Sequence, residues 1–445
     1  MDIMNAMETA AQGIVARLQS AGHIAYLAGG CVRDALRGVA PKDYDIATSA
    51  RPEQVQALFP RHVAIGAHFG VICVLDSGFQ FEVASFRADG VYIDGRRPVD
   101  VTFTTPQGDA ERRDFTINGL FYDPLAEKVI DFVGGQADLK ARVLRAIGDP
   151  AARFAEDRLR LLRAVRFAAA LDFEIEPRTW EAVRAAAGEI GAVSAERIRE
   201  ELVRIFQSPS RVRGFDLLDA SGLMRAVLPE VDNLKGCEQP PEFHPEGDVF
   251  VHTRLMLSLL PETVSVPLVF AVLLHDIGKP TCFSQDPAEN NRIRFSGHEH
   301  VGAAMAEKVM LRLRFSRAEI DATVEAVRQH MAFKDVQRMR VATLKRFMAR
   351  PGFDDELELH RVDCTGSHGL LDNYAFVQAK QEEFAREPLI PKPFVNGHDL
   401  MALGLKPGPR IGEILEAAQT RQLEGGFADR DAALAWVKSE FFPEF

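Results

Sequence analysis

The sequence predicts an α+β head, a small mixed sheet with helices, followed by an all-α remainder. Short runs rich in Val, Ile, Phe and Ala, ended by Gly or Asp, are confined to roughly the first 130 residues. Long crossover helices between these runs are missing, which points to antiparallel or mixed pairing. From about Ala151 the apolar spacing becomes helical throughout. With one domain per about 150 residues as a guide, 445 residues make two to four domains.

A helix from Ile14 to Ala21 precedes a first strand, AYLAGG, and CVRDALRG reads as a short helix after it. VAIGAHFGVICVLD, FQFEVASFR and KVIDFVGG are the further strands. RFAEDRLRLLRAVRFAAALDF places Leu159, Leu162, Val165, Phe167 and Ala169 near helical spacing, with arginines on other faces. SAERIREELVRIF is an amphipathic helix with Ser194 as its N-cap. The Pro/Gly/acid-rich stretch GCEQPPEFHPEGDV is read as a linker. A second helical region follows to about Tyr374, and a helical tail with Gly and Pro turns starts at Pro388. No period of twenty to fifty residues repeats, which excludes solenoids.

Hydrophobic residues make up 47% and charged residues 26%, the balance of a globular protein with a sizeable core. No membrane span and no secretory signal are expected, and a cytoplasmic location follows as the simplest reading. The five cysteines, Cys31, Cys73, Cys237, Cys282 and Cys364, lack CxxC spacing and argue against a disulfide framework or zinc knuckle. The net charge of −11 speaks against a nucleic-acid partner, but basic residues crowd Arg142 to Arg166 and Arg338 to Arg350.

Gly29 and Gly30 end the first strand and lead into a short helix, a turn that lets backbone N–H groups approach a phosphate. Arg33 on that helix can pair with a triphosphate oxygen. Any tight strand-to-helix connection also uses such glycines. Asp43 and Asp45 are separated by one residue, so on a strand both carboxylates project from one face and suit Mg²⁺. Read in isolation, the pair is equally a solvated turn. Glu82, among apolar neighbours on FQFEVASFR, is the candidate third carboxylate, or else an exposed strand-face acid.

GGCVRDALRG followed by KDYDIATSA resembles the signature of the polymerase-beta nucleotidyltransferase superfamily. The likeness is greatest to the class II tRNA nucleotidyltransferase (CCA-adding enzyme) and bacterial poly(A) polymerase family. ERRDFTINGLFYDP is similar to that family's second motif, RFAEDRLRLLRAVRF to its nucleotide-templating motif, and SAERIREEL to its neck-helix motif. The resemblance implies a polymerase-beta-like head in which Asp43, Asp45 and Glu82 are catalytic and the two aspartates hold Mg²⁺. It assigns Arg113 and Asp114 to the incoming nucleotide and its ribose, with Asn118 beside them. By spacing alone, these are a surface salt bridge. Asp157 and Arg160, three apart and read as sharing one helix face, are implied to pair with the base edge of CTP or ATP. Arg163 and Arg166 continue the row towards triphosphate or base; without the resemblance the row is a solvated arginine face. Arg158 stands where relatives carry a small residue or proline, an extra charge available to RNA.

LLHDIGKPT places His275 and Asp276 together at the end of an apolar helical run, where they can occupy two positions on one metal. His252 lies upstream; His298, His330 and Asp363 lie downstream, with His300 competing with His298. Singly, each histidine is as readily a core or surface residue. The order resembles the HD metal-dependent phosphohydrolase superfamily over about His244 to Asp363. It implies a site of His252, His275, Asp276, His298 and Asp363 for a divalent metal such as Mg²⁺, Mn²⁺ or Ni²⁺, which would generate a water nucleophile.

The division expected is a nucleotidyltransferase head at 1–150, a helical neck at 151–235, an HD domain at 236–375 and a helical tail at 376–445. The leading functional reading is CMP and AMP addition from CTP and ATP to the tRNA 3′ end and acceptor arm, with HD phosphohydrolase activity besides. No membrane and no obligate protein partner are expected. A poly(A) polymerase or a C- or A-adding enzyme is the near alternative. An HD phosphohydrolase with a non-catalytic RNA-binding head is the alternative from another class.

Overall fold

The computed structural model describes residues 3–64, 70–89, 101–286 and 292–442. It comprises two compact units, Met1–Asp232 and Asn233–Phe445. The first unit carries β1 (Ala25–Ala28), β2 (Asp45–Thr48), β3 (His62–Val63), β4 (Val71–Asp76), β5 (Phe79–Ser85), β6 (Arg87–Asp89), β7 (Val101–Phe103), β8 (Leu120–Asp123) and β9 (Lys128–Asp131). Seven of them form one sheet in the order β3-β4-β5-β2-β1-β8-β9, and β6 pairs with β7 separately. Only β2 and β5 run parallel in the large sheet; its other pairs are antiparallel. Alternation of buried and exposed residues, as in Phe79–Ser85, turns one face to a core of Ile14, Leu18, Leu27, Ile46, Phe81 and Val83.

Several elements differ in extent from the sequence reading. The first helix is longer, Ile3–Ser20. VAIGAHFGVICVLD divides into β3 and β4, and its residues 65–69 lie outside the described residues. KVIDFVGG is a strand only to Asp131, whose carboxylate accepts from the N–H groups of Val133, Gly134, Gly135 and Gln136 and turns the chain into the helix Gly135–Ala141. The expected single helix through EDRLRLLR is two, Pro150–Glu156 and Leu159–Leu171. Asp157 between them is extended, at φ −143° and ψ 105°, and its carboxylate accepts from Leu159 N at 3.0 Å. A short acid that bonds the main chain ahead of it favours a helix start over a helix interior. Asp157 and Arg160 are therefore not two residues of one helix face. Ser194 precedes the helix Ala195–Phe206 as expected, but its hydroxyl caps nothing.

The second unit is mainly helical. The helix Val266–Leu274 has every residue from Leu268 to Leu274 buried, which explains its unbroken apolar run. It packs against Val249–Leu259, Arg317–Gln329 and Phe353–Gly366. Gly278 of the HDIG segment lies so close to the helix His298–Arg312 that a Cβ would run into the main chain of His298 and Gly302. The tail helices Gly397–Ala402, Pro409–Leu423 and Arg430–Phe441 share a small core of Leu400, Ile414, Ala418, Ala433 and Val437. Among the described residues no helix is long and apolar enough to cross a membrane.

Candidate active sites

Register assembles the head site. Ala28, the last residue of β1, faces Asp45 on β2, which brings Asp45 beside the Gly29–Gly30 turn. Parallel pairing of Ile46 with Val83 brings Glu82 alongside. Asp43 lies just before β2; Tyr44 between the acids is buried, so both carboxylates emerge on the exposed side. Surrounding protein first, then the charges of Asp43 and Glu82, push the Asp45 carboxyl up to about 6, against the pull of Arg113. A divalent cation would relieve the repulsion that Asp43 and Glu82 exert on the Asp45 carboxylate. Gly29 sits at φ +71°, and a Cβ there would stand 2.8 Å from Arg113 Nη1.

Beyond the turn runs a chain of charged hydrogen bonds. Arg33 Nη1 donates to Asn118 Oδ1 at 2.7 Å, and Asn118 Nδ2 donates to Asp114 Oδ1 at 3.0 Å. Asp114 Oδ2 receives Arg163 at 2.7 Å. Arg166 Nε donates to Glu201 at 2.6 Å, and Arg113 pairs with Asp109 at 3.1 Å. Burial alone would raise the Asp114 carboxyl; Arg163, Asn118 and the Phe115 N–H outweigh it and hold it at about 2. Arg160 is buried, with Nη1 on Glu156 at 2.6 Å and on Arg153 O at 2.9 Å, and Nη2 on Arg112 O at 3.0 Å. Asp157 takes Arg197 of the helix Ala195–Phe206 through both oxygens, at 2.7 and 3.2 Å. Arg158 is paired with Glu189.

In the second unit His252, His275, Asp276, His298, His330 and Asp363 converge from five segments. His298 Nε2 and His330 Nε2 are 3.1 Å apart, and His252 Nε2 is 3.1 Å from Asp363 Oδ1. Asp276 presents Oδ2 to His275 Nε2 at 3.0 Å and Oδ1 to His298 Nε2 at 3.3 Å. Three histidines fix their rings through Nδ1 on main-chain carbonyls: His275 on Val272, His298 on Phe295 and His330 on Val327. A carbonyl only accepts, so each Nδ1 carries the proton and each Nε2 is left to bind a metal. His275 Nε2 and both Asp276 oxygens are buried without a hydrogen bond. Ligand atoms lie within 4.8 Å of one another in the sets His252–His275–Asp363, Asp276–His298–His330 and His244–Glu246–His252. The donors are imidazole and carboxylate, which fits a divalent transition metal or Mg²⁺. Burial opposes charge on His252, but Asp363 and Glu246 push it up to about 9; His330, buried beside His275, falls to about 4. A cavity of about 680 Å³ opens over the cluster, lined also by Phe243, His244, Lys279, Arg292, Arg294 and Phe295.

Known proteins match over most of the chain. The Poly A polymerase head domain matches residues 25–145, the probable RNA and SrmB-binding site of polymerase A matches 172–235, and the HD domain matches 250–360. The A-adding tRNA nucleotidyltransferase of Deinococcus radiodurans is 34% identical over 435 residues, covering 93% of this chain and 95% of that protein. The chain belongs to the tRNA nucleotidyltransferase family. The CCA-adding enzyme of Anoxybacillus flavithermus is 31% identical over 430 residues, covering 95% of each chain. The crystal structure of the Bacillus stearothermophilus CCA-adding enzyme in complex with CTP superposes with a TM-score of 0.73 at 25% identity, covering 97% of each chain.

For this tRNA nucleotidyltransferase-family chain, sequence reasoning missed the residues that hold the others in place. Glu156, the last residue of its helix, grips Arg160 across the break at Asp157, four residues away in sequence. Glu201 and Arg197 are both within SAERIREEL, yet their partners are 35 and 40 residues away. His330, left out of the expected site, lies with Asp276 and His298 in a group of possible metal ligands. His300 turns out to solvent, 72% exposed, which leaves the cluster to His298. GCEQPPEFHPEGDV, read as a linker, supplies Glu246 and His244 to the cluster.

Proposed function

We propose that the chain adds CMP and AMP from CTP and ATP to the 3′ end of tRNA, binding the acceptor arm and releasing pyrophosphate. The full-length likeness to CCA-adding enzymes, with the head carboxylates in register beside the glycine turn, is the observation that carries this reading. Asp43 and Asp45 would hold Mg²⁺, which would supply Lewis-acid activation of the 3′-hydroxyl and of the departing pyrophosphate. Glu82 supports them as the third carboxylate. The Gly29–Gly30 turn and Arg33 take the triphosphate. Arg113, Asp114 and Asn118 meet the sugar side of the nucleotide, with Asp114 kept ionised as an acceptor. Asp157 and Arg160 read the base edge, each held by an ion pair, and Arg163 and Arg166 continue the row towards triphosphate or base, Arg163 held by Asp114 and Arg166 by Glu201 of the helix Ala195–Phe206.

The second unit is a metal-dependent phosphohydrolase in this reading. His252, His275, Asp276, His298, His330 and Asp363 would hold a divalent metal (Mg²⁺, Mn²⁺ or Ni²⁺), which would supply a water of lowered pKa as the nucleophile. Lys279, 2.7 Å from Asp276, and the arginines of the cavity rim favour a phosphate ester. The division of labour follows the boundaries 1–150 for the head, 151–235 for the neck, 236–375 for the HD domain and 376–445 for the tail. A cytoplasmic location accords with a tRNA substrate and five unpaired cysteines.

The test offers labelled CTP or ATP singly to tRNA transcripts that end before, after one and after two of the terminal cytidines. Two CMP additions followed by one AMP are expected. AMP addition to the transcript ending after two cytidines, with no CMP added to any transcript, would assign the activity of the Deinococcus relative instead, and a long A-tail without CMP would make the chain a poly(A) polymerase.

A further inference from the structure

The HD match begins at residue 250, yet the wall of the metal cluster begins earlier in the chain. Glu246 Oε1 is 2.6 Å from His252 Nδ1 and 2.9 Å from His244 Nδ1, and the Glu246 side chain is nearly buried. His252 differs from His275, His298 and His330. His275, His298 and His330 each fix Nδ1 on the carbonyl three residues before them. For His252 that carbonyl belongs to Val249, which accepts the Thr253 hydroxyl at 2.8 Å. His252 therefore takes its orientation from a carboxylate outside its helix. The same segment reaches the cluster a second time: Gln239 Oε1 accepts from Lys279 Nζ at 2.6 Å, and Lys279 Nζ lies 2.7 Å from Asp276 Oδ2.

We propose that the segment Gln239–Glu246 is a working part of the HD centre, with Glu246 the positioning residue that fixes the His252 Nδ1 proton and aims Nε2 at a metal. This rests on the metal-binding reading of the HD site. A carboxylate on Nδ1 locks the tautomer, restricts ring rotation and makes Nε2 a stronger donor than a neutral acceptor does. Gln239 acts in parallel, holding the Lys279 ammonium beside Asp276, where it faces the cavity that receives the phosphate ester.

The test uses the full chain carrying Asp43→Ala and Asp45→Ala, so that Mn²⁺ binding reports the HD centre. Free Mn²⁺ is followed by electron paramagnetic resonance during titration, beside the apo melting temperature and p-nitrophenyl phosphate hydrolysis. Glu246→Ala is expected to weaken Mn²⁺ binding about 10- to 100-fold, with unchanged stoichiometry and with hydrolysis restored by excess Mn²⁺. Glu246→Gln, which keeps an acceptor for Nδ1–H but loses the charge, is expected to fall between. A lowered apo melting temperature with unchanged Mn²⁺ affinity in both variants would reduce Glu246 to a packing role and overturn the proposal. Loss of a whole equivalent of Mn²⁺ at saturation would make Glu246 a ligand and overturn it too. If the parent with Glu246 intact binds neither Mn²⁺ nor Ni²⁺, the metal-binding reading itself falls, and the inference with it.

Discussion

Replacing Arg163 by Met removes the guanidinium from Asp114 while keeping most of the side-chain volume. Asp114 is buried, and among the described residues Arg163 alone brings it a cation, at 2.7 Å, beside the Asn118 amide and the Phe115 N–H. Holding that carboxyl at about 2 instead of 3.8 is worth about 2 kcal/mol. Stranding one member of a buried pair costs about 3–5 kcal/mol, and Arg163 is partly open to water, so about 2–4 kcal/mol is expected at pH 7. The wild-type contribution is present above the ordinary carboxylate pKa and is lost only as pH falls towards 2. In the variant, burial without Arg163 raises the Asp114 pKa, so acidification neutralises the stranded charge. The deficit is therefore largest at neutral pH and shrinks towards pH 4. Trp180 and Trp436 are the two tryptophans, one in each unit, so a Trp436→Phe background lets Trp180 report the first unit alone. Urea unfolding should show a midpoint lowered by about 1 M at pH 7. Equal midpoints at pH 7, or a deficit that widens on acidification, would refute the assignment of Arg163 as the counterion.

Other outcomes follow from single contacts. Arg197→Ala frees the Asp157 carboxylate, and KM for both CTP and ATP should rise about tenfold in primer-extension kinetics, a loss of about 1.4 kcal/mol, with a smaller change in kcat. Glu156→Gln loosens Arg160, and incorporation of UTP and GTP relative to CTP and ATP should rise about tenfold, read by competition between labelled nucleotides. His330→Ala should weaken Mn²⁺ binding at the HD centre at least tenfold, whereas His300→Ala should leave it unchanged, as measured by the same titration.

The parts legible in the sequence were those fixed by local pattern. GGCVRDALRG and KDYDIA announced a tight turn and a pair of acids on alternate positions, and antiparallel pairing of Ala28 with Asp45 is what two short adjacent strands make of them. The fully apolar VPLVFAVLL announced a central helix ending in His275 and Asp276. What the sequence concealed was long-range or locally ambiguous. The break at Asp157 is hidden because Glu156 through Arg160 has helical composition on both sides, and only the Leu159 N–H and Arg197 reveal which conformation wins. The partnership of Arg166 with Glu201 spans 35 residues, and nothing in either neighbourhood names the other. The prolines and glycines of GCEQPPEFHPEGDV signal irregular backbone correctly, but irregular backbone folded against a site looks the same as a linker until Glu246 is seen on His252.

The most direct test places Asp43→Ala with Asp45→Ala in the full chain and measures CMP and AMP incorporation into tRNA lacking its terminal cytidines and adenosine, beside phosphate-ester hydrolysis by the same preparation. Nucleotide addition should fall by at least a thousandfold, about 4 kcal/mol of lost transition-state stabilisation, while hydrolysis continues at the parent rate. Undiminished addition would show that the two carboxylates beside the glycine turn do not hold the catalytic metal.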